Sequence, residues 1–319
     1  MNIAADMVDV MSDGTIIAAL AATVKKSTDG GANWADIYTI PGSPTMCYRV
    51  FVDSRDYIFV SGYGGASDYG LYRSVDAGAT WTTSLAMDDH CVVWGMDEDA
   101  SGNLFIGEYS SDDVGTMQVW KSIDGGENWV QKYVTTKDLA GEEHHVHDLR
   151  IDPTNGYIYF TTGDETPEEL WRSTDGGETW FDVYDDGGTH YRLLAIEFHG
   201  GYVYVGTDIG ANEIYRFQDD GTAAAQTFET VYTLNASYNG YIFSSCKDSK
   251  GSIYFGAYYF GASAPTYLGL YKWDGNSMSL IHYIAGGNPA GYFGMSRHNG
   301  RGKMYVGCGA GRNGLVLTA

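Results

Sequence analysis

The chain has 319 residues, 44% of them hydrophobic and 14% aromatic, and it carries 41 acidic against 19 basic side chains for a formal charge of −22. That balance argues against nucleic acid, whose affinity comes from Lys and Arg on phosphates, and no run approaches the ~18 apolar residues of a membrane span, so no membrane insertion is expected. Four cysteines are too few for a disulfide scaffold, and residues 1–10 lack the basic start and apolar run of a signal peptide.

Taken in chain order, the sequence is organised by one stretch that it writes four times. Ser27-Thr28-Asp29-Gly30-Gly31-Ala32-Asn33-Trp34 is followed by copies beginning at Ser74, Ser122 and Ser173, all fitting S-x-D-x-G-x-x-W at spacings of 47, 48 and 51. A fixed period of this length marks a repeat architecture. The chemistry is that of a hairpin tip: a short Asp accepts hydrogen bonds from its own turn, Gly takes a positive φ, and Trp packs back over the hairpin. Six of the cations sit at one repeated position, Lys26, Arg73, Lys121 and Arg172 before the Ser, with Arg216 and Lys272 in degenerate copies.

Each period reads as four strands. In the fourth repeat they are His147–Asp152, Tyr157–Thr162, Leu170–Thr174 and Trp180–Tyr184. Second strands such as Tyr57–Val60, Tyr202–Val205 and Ile253–Phe255 are apolar almost throughout, as expected for strands buried on both faces. Repeats fall near 7–40, 46–87, 90–135, 144–186, 190–234 and 241–284, and the last segment, 292–319, supplies three strands: Tyr292–Arg297, Lys303–Gly307 and Gly314–Thr318.

The repeated stretch resembles the Asp-box, or BNR repeat, of β-propellers such as sialidases, sortilin-type receptors and some xyloglucan hydrolases. The resemblance implies an all-β propeller of four-stranded antiparallel blades. It also makes Asp29, Trp34, Asp76, Trp81, Asp124, Trp129, Asp175 and Trp180 structural residues on the face away from any ligand. With Asn2–Ala5 filling the outer place of the last blade and closing the ring, seven blades are predicted in one domain over 1–319, with six as the alternative.

Functional residues are therefore expected on the other face, at the starts of inner strands and in the loops after second strands. Aligning repeats on Asp53, Asp97, Asp152 and Asp248 puts His90 and His145 at one position, with His190 by a looser match, and sets His147 against Tyr48 and Arg192. Arg49, Tyr191, Tyr241 and Tyr292 share that rim, and Glu108, Tyr109, Asp164 and Tyr258 come from the loops. Together they read as a His-rich, acidic, Tyr-lined funnel.

Such a funnel suits a polysaccharide or glycan, with Tyr rings on sugar faces and carboxylates and histidines on hydroxyls. One catalytic version is β-elimination on a uronic-acid polymer. There His145 or His147 takes the proton, Tyr191 protonates the leaving oxygen and Arg192 neutralises the substrate's acid. Another is hydrolysis by Glu108 and Asp164. A Zn or Mn ion could sit on His145, His147 and His90, and Asp97, Asp99 and Ser101, with Glu108 in twelfth place, match a calcium loop without flanking helices. A sialidase is disfavoured because Arg-Ile-Pro is missing and Arg49, Arg150, Arg192 and Arg297 lie at different depths. The different-class alternative is a non-catalytic adhesion or receptor-binding module with a protein partner, and the setting expected is extracellular or particle-associated. Cys47 and Cys91 fall at matching positions of neighbouring repeats, so a bridge between them is conceivable.

Overall fold

The computed structural model describes residues 5–63, 69–87, 91–110, 117–134, 145–163, 169–184, 192–207, 213–234, 239–260, 267–285, 295–296, 303–306 and 315–318. Six four-stranded antiparallel sheets, each with its strands in chain order, occupy residues 7–39, 46–86, 91–134, 146–182, 193–233 and 239–285. The chain is an all-β, six-bladed propeller, and the six sheets are called blades 1 to 6.

The seventh four-stranded blade is not found among the described residues. Lys303–Val306 and Leu315–Thr318 form a two-stranded sheet, to which Met295 adds one isolated bridge with Val306. Lys303–Val306 lies against Met7–Val10 of blade 1, and Val306 packs with Cys246, Leu268 and Leu270 of blade 6. Most of the proposed closing strand, Asn2–Ala4, lies outside the described residues, and Ala5 precedes the first strand.

The core lies between blades. Phe51, Phe59 and Leu71 of blade 2 pack with Val93, Met96, Leu104 and Ile106 of blade 3. Tyr159 and Leu170 of blade 4 meet Leu193, Ile196 and Val205 of blade 5 in the same way. A strand sandwiched between two neighbours buries both faces, which is why Ile58, Phe59 and Val60 are consecutive and all inaccessible. Each such side chain contributes about 1.5–3 kcal/mol by leaving water. Near the axis the strands approach until only glycine fits: a Cβ on Gly95 would stand 2.4 Å from the Leu149 nitrogen.

The four repeated turns share one hydrogen-bond pattern. The Ser hydroxyl donates to the Asp carboxylate and accepts the N–H of Gly31, Gly78, Gly126 or Gly177 at 2.8–2.9 Å. The Asp also accepts the backbone N–H and side chain of Asn33, Thr80, Asn128 or Thr179. Trp34, Trp81 and Trp180 close the turn by donating Nε1–H to the carbonyls of Gly31, Gly78 and Gly177, whereas Trp129 donates to Ser84 Oγ of the preceding blade.

The repeated cation has a structural use. Lys26 Nζ donates to the Ala77 carbonyl at 2.9 Å, an Arg73 nitrogen to Gly125 at 2.7 Å and Lys121 Nζ to Gly176 at 3.1 Å. Each is a strut to the turn of the next blade. Arg172, 1% exposed, does the same to the Thr222 carbonyl and Asp219 of blade 5. Cys47, Cys91 and Cys246 are buried free thiols, so the conceivable Cys47–Cys91 bridge is not formed. Cys47 Sγ instead donates to the carbonyls of Arg49 and Ser61.

Two outcomes follow from the turns. Ser122 is 1% exposed, so Ser122→Ala, which strands the Gly126 N–H, should lower unfolding free energy by about 1–3 kcal/mol in a denaturant titration. Hydrogen bonds led by those from Asn33, Thr80, Asn128 and Thr179 hold the Asp29, Asp76, Asp124 and Asp175 carboxyls down to about 2. A carboxyl depressed in the folded state stabilises above its unfolded value of roughly 3.9 and stops doing so as pH falls through the folded one. The stability difference between wild type and Asp124→Asn should therefore be constant above about pH 4 and shrink towards pH 2, read from melting temperatures across that range.

Candidate functional site

The channel mouth away from the repeated turns is shaped by a recurring irregularity in the inner strands. Pairing with the second strand skips Tyr48 in Met46–Val52, Trp94 in Cys91–Glu98, His147 in Val146–Ile151 and Phe243 in Asn239–Lys247. In Leu193–His199 the skip falls at Leu194 and Ala195. Two residues face one at each bulge, so the extra residue leaves the alternation of the sheet.

Blades 2 to 4 put aromatic and imidazole rings together there. The Tyr48 and Tyr109 rings stack with centroids 5.4 Å apart, and Trp94 stands edge-on to them at 5.4 and 5.0 Å. Behind these half-buried rings lie His145 and His147, 0% and 3% exposed. Tyr109 lies 4.2 Å from His145, and Trp94 lies 5.5 Å from His147.

The histidines form one hydrogen-bonded unit. His147 Nδ1 is 3.0 Å from the Leu193 carbonyl of blade 5, and the two Nε2 atoms are 2.9 Å apart. A carbonyl only accepts, so Nδ1 of neutral His147 carries its proton, and its Nε2 accepts Nε2–H from His145. The pair thus spans from blade 4 to blade 5 and backs the Tyr109 ring. Gly163 makes this packing feasible, because a Cβ there would come within 1.6 Å of His147 Cε1.

The alignment of blade 3 was two residues off. Asp53, Asp99, Asp152 and Asp248 each donate their N–H to the far side of the first hairpin turn, so Asp99, not Asp97, is the equivalent position. The residue five places earlier is then Tyr48, Trp94, His147 or Phe243, which brings in Trp94, absent from the expected set. Val92 and Arg192 are the counterparts of His145, and Leu194 is that of His147, so the expected histidine column over three blades is not a column. His90, His190, Tyr191, Asp164 and Tyr292 lie outside the described residues.

Other expected contacts turn elsewhere. Arg49 reaches into the contact with blade 3, where it donates to the Met96 carbonyl and lies over the Phe51 ring. Glu108 is 3% exposed and accepts Trp120 Nε1–H at 2.8 Å, on the strand face opposite Tyr109. Arg192 is half-buried at the start of blade 5. Tyr241 and Tyr258 stack at 5.8 Å on blade 6.

Neither metal reading gains a site among the described residues, where no group of three His, Cys, Asp or Glu side chains is set to hold an ion. The Nε2 atoms of His145 and His147 face each other, and a shared metal would have to displace the proton between them. Asp97 accepts the N–H groups of Glu98 and of Ile151 in blade 4, while Asp99 accepts those of Ser101 and Asn103. Both carboxylates serve backbone donors. At the opposite channel mouth lies a cavity of about 630 Å³, lined by blades 3 to 6, that no motif announces.

No family model matches the chain. The xyloglucanase Xgh74A of Acetivibrio thermocellus is 26% identical over 201 residues, which are 54% of this chain and 24% of that protein. The match thus spans about a quarter of that relative's length. A catalytically inactive variant of virginiamycin B lyase from Staphylococcus aureus with quinupristin superposes with a TM-score of 0.68 at 11% identity, covering 100% of this chain and 96% of the other. The GH74 xyloglucanase from Xanthomonas campestris gives 0.53 at 12% identity, covering 98% and 64%. The chain is thus a β-propeller related at low identity to xyloglucanase propellers, and the superpositions bear on the fold alone.

Gly163→Ala should expel the His147 ring from its place while the blades stay folded. The expected signature is loss of the hydrogen-bonded imidazole N–H resonances in proton NMR, with a melting temperature lowered by the overpacking, about 1–3 kcal/mol.

Proposed function

We propose that the chain binds a polysaccharide at the channel mouth away from the repeated turns, as one propeller domain working outside its cell or on a particle. The observation that carries this reading is the packed group of half-buried rings, Tyr48, Trp94 and Tyr109, drawn from neighbouring blades. Flat apolar faces with polar edges suit the C–H face and hydroxyls of a sugar. The distant xyloglucanase similarity supports it. A charge of −22 repels polyanions at long range, which favours a neutral glycan such as xyloglucan.

The histidine pair favours a second reading, elimination on a uronic-acid polymer. In that scheme His145 removes the proton α to the carboxylate, the bond to the leaving oxygen breaks, and Tyr191 protonates that oxygen while Arg192 neutralises the acid. His145 lies fully buried against the Tyr109 ring, so the scheme requires that ring to swing aside. Hydrolysis by a carboxylate pair is less favoured, because Glu108 is held by Trp120.

The test is binding and turnover on xyloglucan, other neutral glycans and uronic-acid polymers, with and without EDTA, following reducing ends and unsaturated-product absorbance together. Saturable binding of a neutral glycan is expected. Tyr109→Ala should weaken it at least tenfold, about 1.4 kcal/mol, without changing the melting temperature by more than a few degrees. Binding of no polysaccharide, or equal affinity in Tyr109→Ala and Tyr48→Ala, would remove the proposal and favour a protein-binding module. Unsaturated product abolished by His145→Ala would establish the elimination reading.

A further inference from the structure

The cavity of about 630 Å³ at the mouth opposite the aromatic rings has the volume of a small-molecule site, and nothing so far assigns it a use. Its wall is acidic. Asp97, Glu98, Asp99, Asp152 and Glu197 line it against two cations, Arg150 and Lys247. Both cations are held by the protein. Arg150 pairs with Asp148 at 3.1 Å and donates to the Ser245 carbonyl, and Lys247 Nζ donates to the Phe198 carbonyl at 2.6 Å.

Three of the acids are committed to protein donors. Asp97 accepts the N–H groups of Glu98 and Ile151, Asp99 those of Ser101 and Asn103, and Glu98 the N–H and hydroxyl of Ser54. Glu197 and Asp152 are only 9% and 8% exposed, yet each keeps one oxygen without a hydrogen bond among the described residues.

The other blades show what is missing at these two. Glu197 has the register of Asp9 and Asp97, each opposite the middle residue of an apolar second-strand run. Those aspartates put one oxygen on the N–H of the following residue and the other on an N–H of the next blade. Glu197 makes only the first bond, with Phe198 at 3.0 Å, and the extra methylene leaves its Oε2 at the cavity wall. Burial pushes its carboxyl up, with Arg150 and Lys247 opposing that shift. Among the turn aspartates, Asp53, Asp99 and Asp248 accept the N–H of Tyr57, Asn103 and Ser252. In the longer turn of blade 4 that donor, Tyr157 N–H, goes to Asn155 instead. Asp152 is left with Thr154 N–H on Oδ1 and nothing on Oδ2.

We infer that this vestibule is a second binding site, separate from the aromatic face, for an aliphatic diamine. One ammonium donates to Glu197 Oε2 and the other to Asp152 Oδ2, in the charge-assisted bonds that are the stronger kind. The methylenes between them lie along Phe198, Ile151 and Pro153. A metal ion fits less well. No three His, Cys, Asp or Glu side chains among the described residues are set to hold one, and calcium takes about six to eight oxygens.

The experiment is a calorimetric titration of the full chain with putrescine, at about 0.15 M salt to screen exposed charges beyond about 8 Å. Butylamine and butanediol carry the same stem with one charge and with none. One saturable site for putrescine is expected, at least tenfold weaker for butylamine and absent for the diol. Glu197→Gln and Asp152→Asn keep the oxygen that accepts the local N–H, so both should melt within a few degrees of wild type. Each should weaken putrescine at least tenfold. Glu127→Gln removes the same charge from an exposed turn outside the cavity and should bind as wild type does. No saturable binding, butylamine as tight as putrescine, wild-type affinity in both cavity variants, or an equal loss in Glu127→Gln would each overturn the inference.

Discussion

The bulge in the inner strands is the constraint from which the site follows. First and second strands crowd against the inner strand of the next blade until a Cβ on Gly95, Gly107 or Gly206 would stand 2.4–2.5 Å from it. At that spacing an extra residue cannot join the alternation between two packed faces, so its side chain is turned towards the channel. Four blades carry the extra residue at the same distance before the first turn, blade 5 skips Leu194 and Ala195 together, and the residue type then decides what each sector of the channel holds. Tyr48, Trp94 and His147 make the sector of blades 2 to 4 aromatic and polar. Leu194 and Phe243 make the rest apolar and join Trp94 in one cluster.

The acid excess is partly a device for joining blades. Asp6 accepts the Cys47 N–H at 3.1 Å, Asp9 that of Val52 at 2.8 Å, Asp97 that of Ile151 at 2.9 Å and Asp148 that of Ile196 at 3.1 Å. Each is a buried carboxylate of one blade holding a backbone donor of the next. Cys47 and Ile196 flank the bulge while Val52 and Ile151 end their strands, and leaving any of these buried donors unsatisfied would cost about 1–3 kcal/mol. The cost of burying a charge appears in Asp6 and Glu197, whose carboxyls desolvation pushes up despite their hydrogen bonds. On the outer side the same joining is done by Lys26, Arg73, Lys121 and Arg172. Blades are therefore fastened twice, by anions near the axis and cations near the rim.

This division explains what could be read from the sequence. The repeated turns are local: Ser, Asp, Gly and Trp lie within eight residues and the Ser and Asp bonds close within the turn, so the motif carried its own geometry. Strand pairs and blade limits followed, because alternation and turn residues are local too. The bulge is not. Its extra residue looks like any other strand residue, and in blade 3 Asp97 imitates the turn aspartate two places early, which displaced the alignment and hid Trp94. The contacts of Arg49 and Glu108 were not legible for a related reason. Which face a strand residue takes after a bulge depends on pairing, and pairing sent Arg49 to Met96 and Glu108 to Trp120. The count of blades departs from the expectation in the last segment, whose described residues pair as two strands and one bridge.

The low identity of the superposed propellers has the same physical source. At 11% identity and a TM-score of 0.68 the fold persists while most side chains differ. Five blades of one chain carry Tyr, Trp, His, Leu and Phe at the bulge positions, of which His147, Leu194 and Phe243 are buried, while the flanking Cys47, Val93, Val146, Leu193 and Ile242 stay small or apolar and buried. A propeller can therefore keep its blades and exchange its chemistry by changing a handful of side chains on the axis.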